Sequence, residues 1–449
     1  MVSAASADTT CHVLILGGGF GGLYTAVELQ RLLRAERNRD LRVQVTLVNR
    51  ENHFLFTPML TEVAGSDIEM QHIVTSLRRL LPPGVRFEEA TVNEIDLTHK
   101  RVTVTLAKHH EQRVLDADML VLALGSSTNF FRLQGLEAYA LTMKNLRDAI
   151  VLRNRVLHLL ELADAEDNAD ECRRILSFVV CGGGFSGVET VAALNDFVRR
   201  AARYYPHVKQ EYIRIVLIHS HDRLLPELSL GLARYALRKL RARGVECIMN
   251  TRINGTTGNE VILENGAMLP ARTLIWTAGV TPNPIIDRLN CKKAKHGRVQ
   301  TTPCGELVDY PGVWALGDCA AIPNPRSDHP YPPTAQHAVR EARVIAQNIV
   351  ARLKGEAPRP YVYTPLGELA LIGRRTGVAR IMGLNFSGFM AWFMWRTIYL
   401  YKLPNLEKKV RVALDWTIDL FFGRDIVEVP LGRSETVSTA RSRELPGAG

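Results

Sequence analysis

The sequence predicts an α/β fold made of two Rossmann-like dinucleotide-binding units followed by a C-terminal region of amphipathic helices, and three observations predict it. The first is residues 13–22, VLILGGGFGG, an apolar run that breaks at Gly17-x-Gly19-x-x-Gly22 and resumes at helical spacing through Leu23, Val27, Leu29 and Leu32. The second is a further copy at residues 178–189, FVVCGGGFSGVE, where Gly182, Gly184 and Gly187 lead into a helix over residues 188–200. The third is a pair of aromatic and basic helical segments, residues 386–401 and 406–422. Strand, tight turn and helix together make a pyrophosphate cradle. The first glycine permits the sharp turn, the second lets the backbone approach the phosphates, and the third lets the helix pack on the strand. The helix N-terminus adds free N–H groups and positive partial charge. Two such units in one chain point to two redox cofactors that meet.

Composition bounds the rest. At 449 residues and 46% hydrophobic content there is room for two or three domains with sizeable cores, with disorder expected only at the ends. Residues 1–10 are small and polar and contain no apolar stretch of signal-peptide length, which places the protein on the cytosolic side. Seven cysteines are scattered without CxxC or paired zinc spacing, so neither a disulfide scaffold nor a metal site is expected. A net charge of +10 suits nucleic acid, anionic lipid or an anionic cofactor. Nucleic acid is set aside, because the basic residues are not collected with an exposed aromatic reading surface.

Taken in order, residues 43–48 read as a strand ending at Asn49-Arg50, where a dinucleotide-binding unit places an acid on the adenosine ribose. Residues 51–61, ENHFLFTPMLT, read as an aromatic loop in which Pro58 blocks a helix, and residues 68–81 as a helix stopped by Pro82-Pro83-Gly84. Residues 86–95 and 101–106 alternate as a small meander, and residues 118–124 are a buried strand running into Gly125, which can pass close to a cofactor. Residues 141–165 have helical periodicity, and the acidic run 163–171 reads as a solvated linker or helix end. In the second unit, residues 213–218 form a strand ending at His219 rather than at an acid, which leaves NADH and NADPH both open. Residues 230–243 form a basic amphipathic helix capped by Gly244, and residues 273–276 a strand ending in Thr277-Ala278-Gly279. From Thr301 the chain returns to the first unit. There residues 313–318, VWALGD, present Gly317 and Asp318, and residues 334–348 begin a helix aimed at the same place. Residues 386–401 are broken by Arg396 and too short to span a bilayer. With residues 406–422 they read as two helices lying in a membrane surface, Leu406, Val410, Leu414, Thr417 and Phe421 sharing one face, Lys408, Lys409 and Arg411 the basic end, and Trp392, Trp395 and Trp416 at the interface. A hairpin packed on the body or on a second subunit is the other reading of the same pattern.

This order of motifs resembles the two-dinucleotide-binding-domain flavoproteins, and within them the type II NADH dehydrogenases, which are single-chain NADH:quinone oxidoreductases. The resemblance runs from about Cys11 to Val429 and is carried by LFTPML, GGGFSGVE, WTAGV, WALGDCA, PTAQHA and LDWTIDLFFGRDIV. It implies an FAD domain in two parts (residues 1–140 and 301–375), an NADH domain (141–300), a membrane-association region (376–430) and a disordered tail (431–449). It assigns Gly17, Gly19, Phe20, Gly22, Asn49, Arg50, Gly125, Gly317 and Asp318 to FAD, and Gly182, Gly184, Gly187, His219, Ala278 and Gly279 to NADH or NADPH. Glu189 and Gln336 become the catalytic candidates, and Ala335, Gln336, His337 and Arg340 the quinone-docking element. The family element continues to a second glutamine where this chain has Arg340, and acids are common where Asn49 and His219 stand. The implied setting is a peripheral protein on the cytoplasmic face of a bacterial inner membrane, or on a mitochondrial membrane, with a homodimer left open.

Elementary chemistry points the same way. Hydride passes directly from nicotinamide to flavin, so the protein must hold two rings in contact and exclude water. Quinone reduction then needs two electrons and two protons, and Glu189 or a water chain is the candidate donor, although an acid at a helix start also serves simply to stabilise the helix dipole. His219 with His221, or His109 with His110, lack the converging ligands of a metal site. Cys181 and Cys319 lie beside cofactor motifs, which keeps a sulfide:quinone oxidoreductase open, while small buried packing residues are the plainer reading. A soluble reductase, or a redox-sensing flavoprotein that binds NAD(H) without quinone turnover, also fits the motifs. Residues 53–56 fit either a cover over the flavin or ordinary core.

Overall fold

A computed structural model describes residues 10–38, 40–422 and 426–428, so the tail 431–449 lies outside the described residues. Its largest sheet has seven strands in the order Val313–Ala315, Met119–Leu122, Cys11–Leu16, Val43–Asn49, Val85–Asp96, Arg101–Leu106 and Gln112–Asp116. The first five pair in parallel, and their central members are continuous apolar runs because both faces are covered, one by helices and the other by the meander side chains Ala90, Ile95, Val102 and Val104. Val85–Asp96 pairs in parallel with Val43–Asn49 at its start and antiparallel with Arg101–Leu106 at its end, with a register shift between Val92 and Glu94. One long strand thereby joins the parallel sheet to the meander, which gains a third strand at Gln112–Asp116.

The second unit is a four-stranded parallel sheet in the order Val245–Ile248, Arg214–Ile218, Ser177–Cys181 and Thr273–Trp276. Ser126–Thr128 and Val280–Pro282 pair antiparallel and carry the chain between the two units. A further three-stranded sheet of Gly367–Leu371, Gly377–Ile381 and Leu384–Gly388 precedes the helices Phe389–Lys402 and Leu406–Phe421. No helix among the described residues is long and apolar enough to cross a membrane.

Several local expectations change. Residues 68–81 are not one helix: the β-branched run at Ile73, Val74 and Thr75 favours extended backbone, and Val74–Ser76 pairs with His53–Leu55 before a single turn, Leu77–Leu80. The aromatic segment 51–61 therefore holds a strand, a short 3-10 turn containing Pro58 and the start of the helix Leu60–Ala64. Residues 141–145 lie outside the helix, ending in a bend, and the helix Leu146–Asp164 starts where Asn145 and Asp148 form a reciprocal cap. The acidic run contains the Asn168 cap of a further helix, Ala169–Ile175. Trp392, Trp395 and Trp416 do not sit at an interface; they are 9%, 0% and 6% exposed and pack inward. The opposite side of the hairpin is open, with Phe389, Met390, Phe393, Leu406, Val410 and Leu414 exposed. Arg396 lies within 4.3 Å of the Trp392 ring centre and 4.6 Å of that of Trp416, so its charge is accommodated between two indole faces rather than ending the helix.

Candidate active site

Both glycine turns stand at the C-terminal ends of parallel strands. Gly17 has φ +106°, and a Cβ there would lie 2.2 Å from the Ala123 carbonyl oxygen; one on Gly22 would lie 1.7 Å from the Gly17 oxygen. Nothing lies within 4 Å of a Cβ on Gly19, whose open side lines the main cleft. The second turn repeats this geometry, with Gly182 at φ +121°, a Cβ on Gly187 1.8 Å from the Gly182 oxygen, and open space at Gly184.

The residue that ends the second strand of each unit secures its turn. Gly18 N–H donates to Asn49 Oδ1 at 2.8 Å, and Gly183 N–H donates to His219 Nδ1 at 3.0 Å. Asn49 spends its amide on the Glu51 carbonyl at 2.7 Å, so both ends of the side chain are engaged within the protein. His219 accepts at Nδ1 and is therefore neutral, and burial lowers its pKa further. These two residues hold the backbone in place, at the positions where the spacing alone suggested contact with a ribose.

The first turn opens onto a cleft of about 510 Å³, and the second unit reaches it through the helix after its turn, at Ser186 and Glu189, while Gly182, Gly184 and Gly187 are outside the lining. Gly19, Phe20, Gly125, Gly317 and Asp318 line it from one side, Ser186, Glu189, Thr277 and Gly279 from the other, and Ala335 and Ala338 close one end. A second cavity of about 680 Å³ shares Ser126, Thr128 and Lys144 with the cleft and continues past Arg50, Asn93 and Arg288. The Asn93 side-chain oxygen is buried there without a hydrogen-bond partner. An extended dinucleotide fits this pair of cavities: an open glycine for the phosphates, three cations in the second cavity, and an unsatisfied acceptor in the same wall. Asp318 Oδ2 accepts from Ser126 Oγ at 2.5 Å, and Lys144 Nζ donates to Ser126 Oγ at 2.9 Å. Lys144 is the cleft's one lining cation among the described residues, and neither its spacing nor its neighbours marked it in the sequence. Thr57, Pro58 and Tyr399 line the cleft as well; the aromatic segments holding them were visible, their convergence was not.

Glu189 sits one turn into the helix Phe185–Ala201 and remains partly open to the cleft. Its Oε1 accepts from Leu371 N–H at 3.0 Å and from Trp395 Nε1–H at 3.2 Å. Burial pushes its pKa up to about 8, against the opposing pull of those two donors. A carboxyl with that affinity can hold a proton at neutral pH and release it within the cleft.

The other candidates divide. Gln336, His337 and Arg340 are outside the cleft lining, as is the exposed Ala278. His337 is buried against tyrosines, its Nδ1 2.9 Å from Tyr361 Oη, and burial lowers its pKa to about 4. Arg340 stacks 4.2 Å from the Tyr363 ring centre, and its guanidinium donates to the Gln336 carbonyl at 3.0 Å. Phe54 and Phe56 are 1% and 2% exposed and serve as core beneath Phe20. Cys181 and Cys319 are buried outside the cleft lining, and burial pushes both pKa values up to about 12, the opposite of a reactive thiol. Among the described residues no group of three or more ligand-type side chains could hold a metal ion.

Comparison with known proteins places this arrangement. Residues 11–342 match the family model described as pyridine nucleotide-disulphide oxidoreductase, and residues 366–425 match the NDH2 C-terminal domain. A Dictyostelium discoideum protein named probable NADH dehydrogenase is 30% identical, covering 92% of this chain and 90% of its own. The type II NADH:quinone oxidoreductase of Mycobacterium tuberculosis is 28% identical, covering 91% of this chain and 87% of its own. The solved structure of Plasmodium falciparum NDH2 in complex with NADH superposes with a TM-score of 0.84 at 19% identity, covering 93% of this chain and all of that one, a likeness of fold.

Proposed function

Because this chain belongs to the pyridine nucleotide-disulphide oxidoreductase family, and within it to the type II NADH:quinone oxidoreductases, we propose that it oxidises NADH and passes the electron pair through FAD to a membrane quinone. The observation that carries this reading is the single cleft lined both by Gly19 of the first turn and by Ser186 and Glu189 of the helix that leaves the second. When bound, FAD supplies the ring that takes hydride from the nicotinamide and hands electrons to the acceptor. The protein's own residues position and protonate. Gly17, Gly19 and Gly22 would receive the FAD diphosphate, Asp318 with Ser126 and Lys144 its polyol, and Arg50 and Asn93 its adenosine end. Gly182, Gly184 and Gly187 would seat the nicotinamide dinucleotide, with Thr277 and Gly279 beneath its ring. Glu189 supplies a proton to the quinone oxygen, while Ala335 and Ala338 leave room for a flat ring at the far end. The exposed apolar side of the C-terminal hairpin lies against the membrane, where its acceptor dissolves.

Steady-state NADH oxidation with and without a short-chain quinone tests this reading. Strong stimulation by the quinone is expected; stimulation only by an electron-carrier protein would point to a soluble reductase instead.

A further inference from the structure

Two short basic runs, residues 197–203, FVRRAAR, and 372–375, IGRR, play no part in the cleft, and the fold brings them together. The helix Phe185–Ala201 ends in Arg199 and Arg200, the turn Ala202–Tyr204 carries Arg203, Arg243 caps the helix Leu230–Ala242, and Arg374 follows the strand Gly367–Leu371. These five arginines line an open surface pocket of about 210 Å³, in which Asp196 is the one acid among the described residues.

We propose that this pocket binds the phosphate of an anionic phospholipid at the edge of the C-terminal hairpin. The inference rests on the reading that the apolar side of the hairpin meets the membrane. The positive charge is only partly answered within the protein. Asp196 accepts from Arg243 Nη2 at 2.6 Å and from the Arg374 backbone N–H at 2.6 Å, and Asp419 accepts from Arg200 Nη1 at 3.0 Å. Two carboxylates thus answer two guanidinium groups. Arg199 donates to neutral oxygens, Asn195 Oδ1 at 2.9 Å and the Gly244 carbonyl at 3.4 Å, and Arg374 Nη2 donates to the Asp419 carbonyl at 3.4 Å. Arg203 is exposed and has no hydrogen bond or ion pair among the described residues. Glu62 and Asp67 face an adjoining chamber that shares Asp196 and Arg374, and neither is in the lining of the pocket.

Three guanidinium groups therefore surround an open space without a carboxylate of their own. Like charges gathered in this way repel, and an anion between them relieves the repulsion. A phosphate presents its oxygens in the geometry that guanidinium forks match, and the exposed Arg203 and Arg374 have room to turn onto it. The place of the pocket selects a lipid. Asp419, which holds Arg200 through its carboxylate and Arg374 through its carbonyl, points inward from the helix Leu406–Phe421. Its neighbours Ile418, Phe421 and Phe422 are exposed. A phosphate in the pocket then lies beside the side that the hairpin turns to the bilayer, with its acyl chains along those apolar residues.

The test is vesicle binding by the full-length, FAD-loaded protein, using phosphatidylcholine alone and phosphatidylcholine with about a fifth phosphatidylglycerol. The wild type is expected to favour the anionic vesicles. Arg203→Gln with Arg374→Gln is expected to lose roughly tenfold of that preference. Lys108→Gln with Lys295→Gln, which removes the same charge from exposed sites outside the pocket, is expected to lose about twofold or less. The bond from the backbone N–H of residue 374 to Asp196 survives in the arginine pair, so its melting temperature is expected to match the wild type and to separate loss of the site from loss of the fold. Equal losses in the two pairs, or an unchanged preference in the arginine pair, would overturn the inference. Inorganic phosphate at millimolar concentration separates the two sources of phosphate: it is expected to leave the wild type on anionic vesicles, because it lacks the apolar part of the ligand. A melting temperature that rises with phosphate in the wild type alone, with vesicle preference the same in both proteins, would assign the pocket to a free anion and overturn the inference. If Leu414→Glu with Ile418→Glu stays on the vesicles, the membrane reading beneath it fails. If that pair is released while the arginine pair keeps its preference, only the pocket fails.

Discussion

Glu189 carries the most chemistry of any one residue here, and its raised pKa has consequences in both activity and stability. Protonated below about pH 8, it can donate at neutral pH, so quinone reduction should fall as pH rises through that value. Glu189→Gln keeps an acceptor for Leu371 and Trp395 but no acidic proton, and is expected to slow quinone reduction by roughly tenfold or more while flavin reduction changes little. The linkage has a definite sign: a carboxyl whose folded pKa lies above its unfolded value stabilises the fold at low pH and loses that contribution as pH rises from about 4.5 to about 8. The melting temperature of Glu189→Gln should therefore gain on the wild type across that window. The glycines give a contrast that melting and flavin content can read. Gly17→Ala meets a carbonyl oxygen at 2.2 Å on a backbone at φ +106° and should cost about 2 kcal/mol or more. Gly19→Ala meets nothing within 4 Å and has φ −76°, so the fold should survive while the added methyl, standing in the cleft, weakens FAD binding. The backbone geometry of these glycines was legible in the sequence because glycine spacing encodes it directly. The roles of Asn49 and His219 were not, because spacing marks the end of a strand without saying which way the side chain turns. His219→Glu should shift preference away from NADPH by roughly tenfold or more, since a carboxylate there repels a 2′-phosphate.

At the level of elements, the C-terminal hairpin does two jobs on its two sides. Trp395 and Trp416 face inward and donate to Glu189 and Glu62, while Leu414 and Ile418, 54% and 53% exposed, face out. Replacing both Leu414 and Ile418 with glutamate should release the protein from anionic liposomes and leave NADH-to-dye activity within about twofold, because neither contributes to the core. Full retention on the liposomes would show that another surface binds the lipid. Trp395→Phe should instead leave liposome binding intact and shift the pH dependence of quinone reduction, since removing a donor to the carboxylate raises its pKa further. The helical spacing of residues 406–422 identified the exposed face correctly, but the tryptophans misled: an indole suits a lipid interface and a buried hydrogen bond equally well, and only packing separates the two. The same limit explains residues 68–81, where apolar spacing suggested a helix and strand pairing with His53–Leu55 prevailed.

For the whole molecule, the repeated glycine motif was enough to foresee two parallel sheets, yet not the way they converge. Gly19 and Glu189 lie 170 residues apart in the chain and share one cleft because each sits where a parallel strand delivers its helix. Lys144 and Tyr399 join that cleft from elements whose local sequence carries no site motif, so only the assembled fold reveals them. No helix among the described residues is long and apolar enough to cross a bilayer, and proteoliposomes oxidising NADH are expected to develop no proton gradient. The central claim is that nicotinamide and flavin meet in this cleft, and anaerobic mixing of the purified, FAD-loaded protein with NADH tests it most directly. The account predicts that flavin absorbance bleaches in one fast phase and returns on adding quinone; tight NADH binding that leaves the flavin oxidised would contradict it.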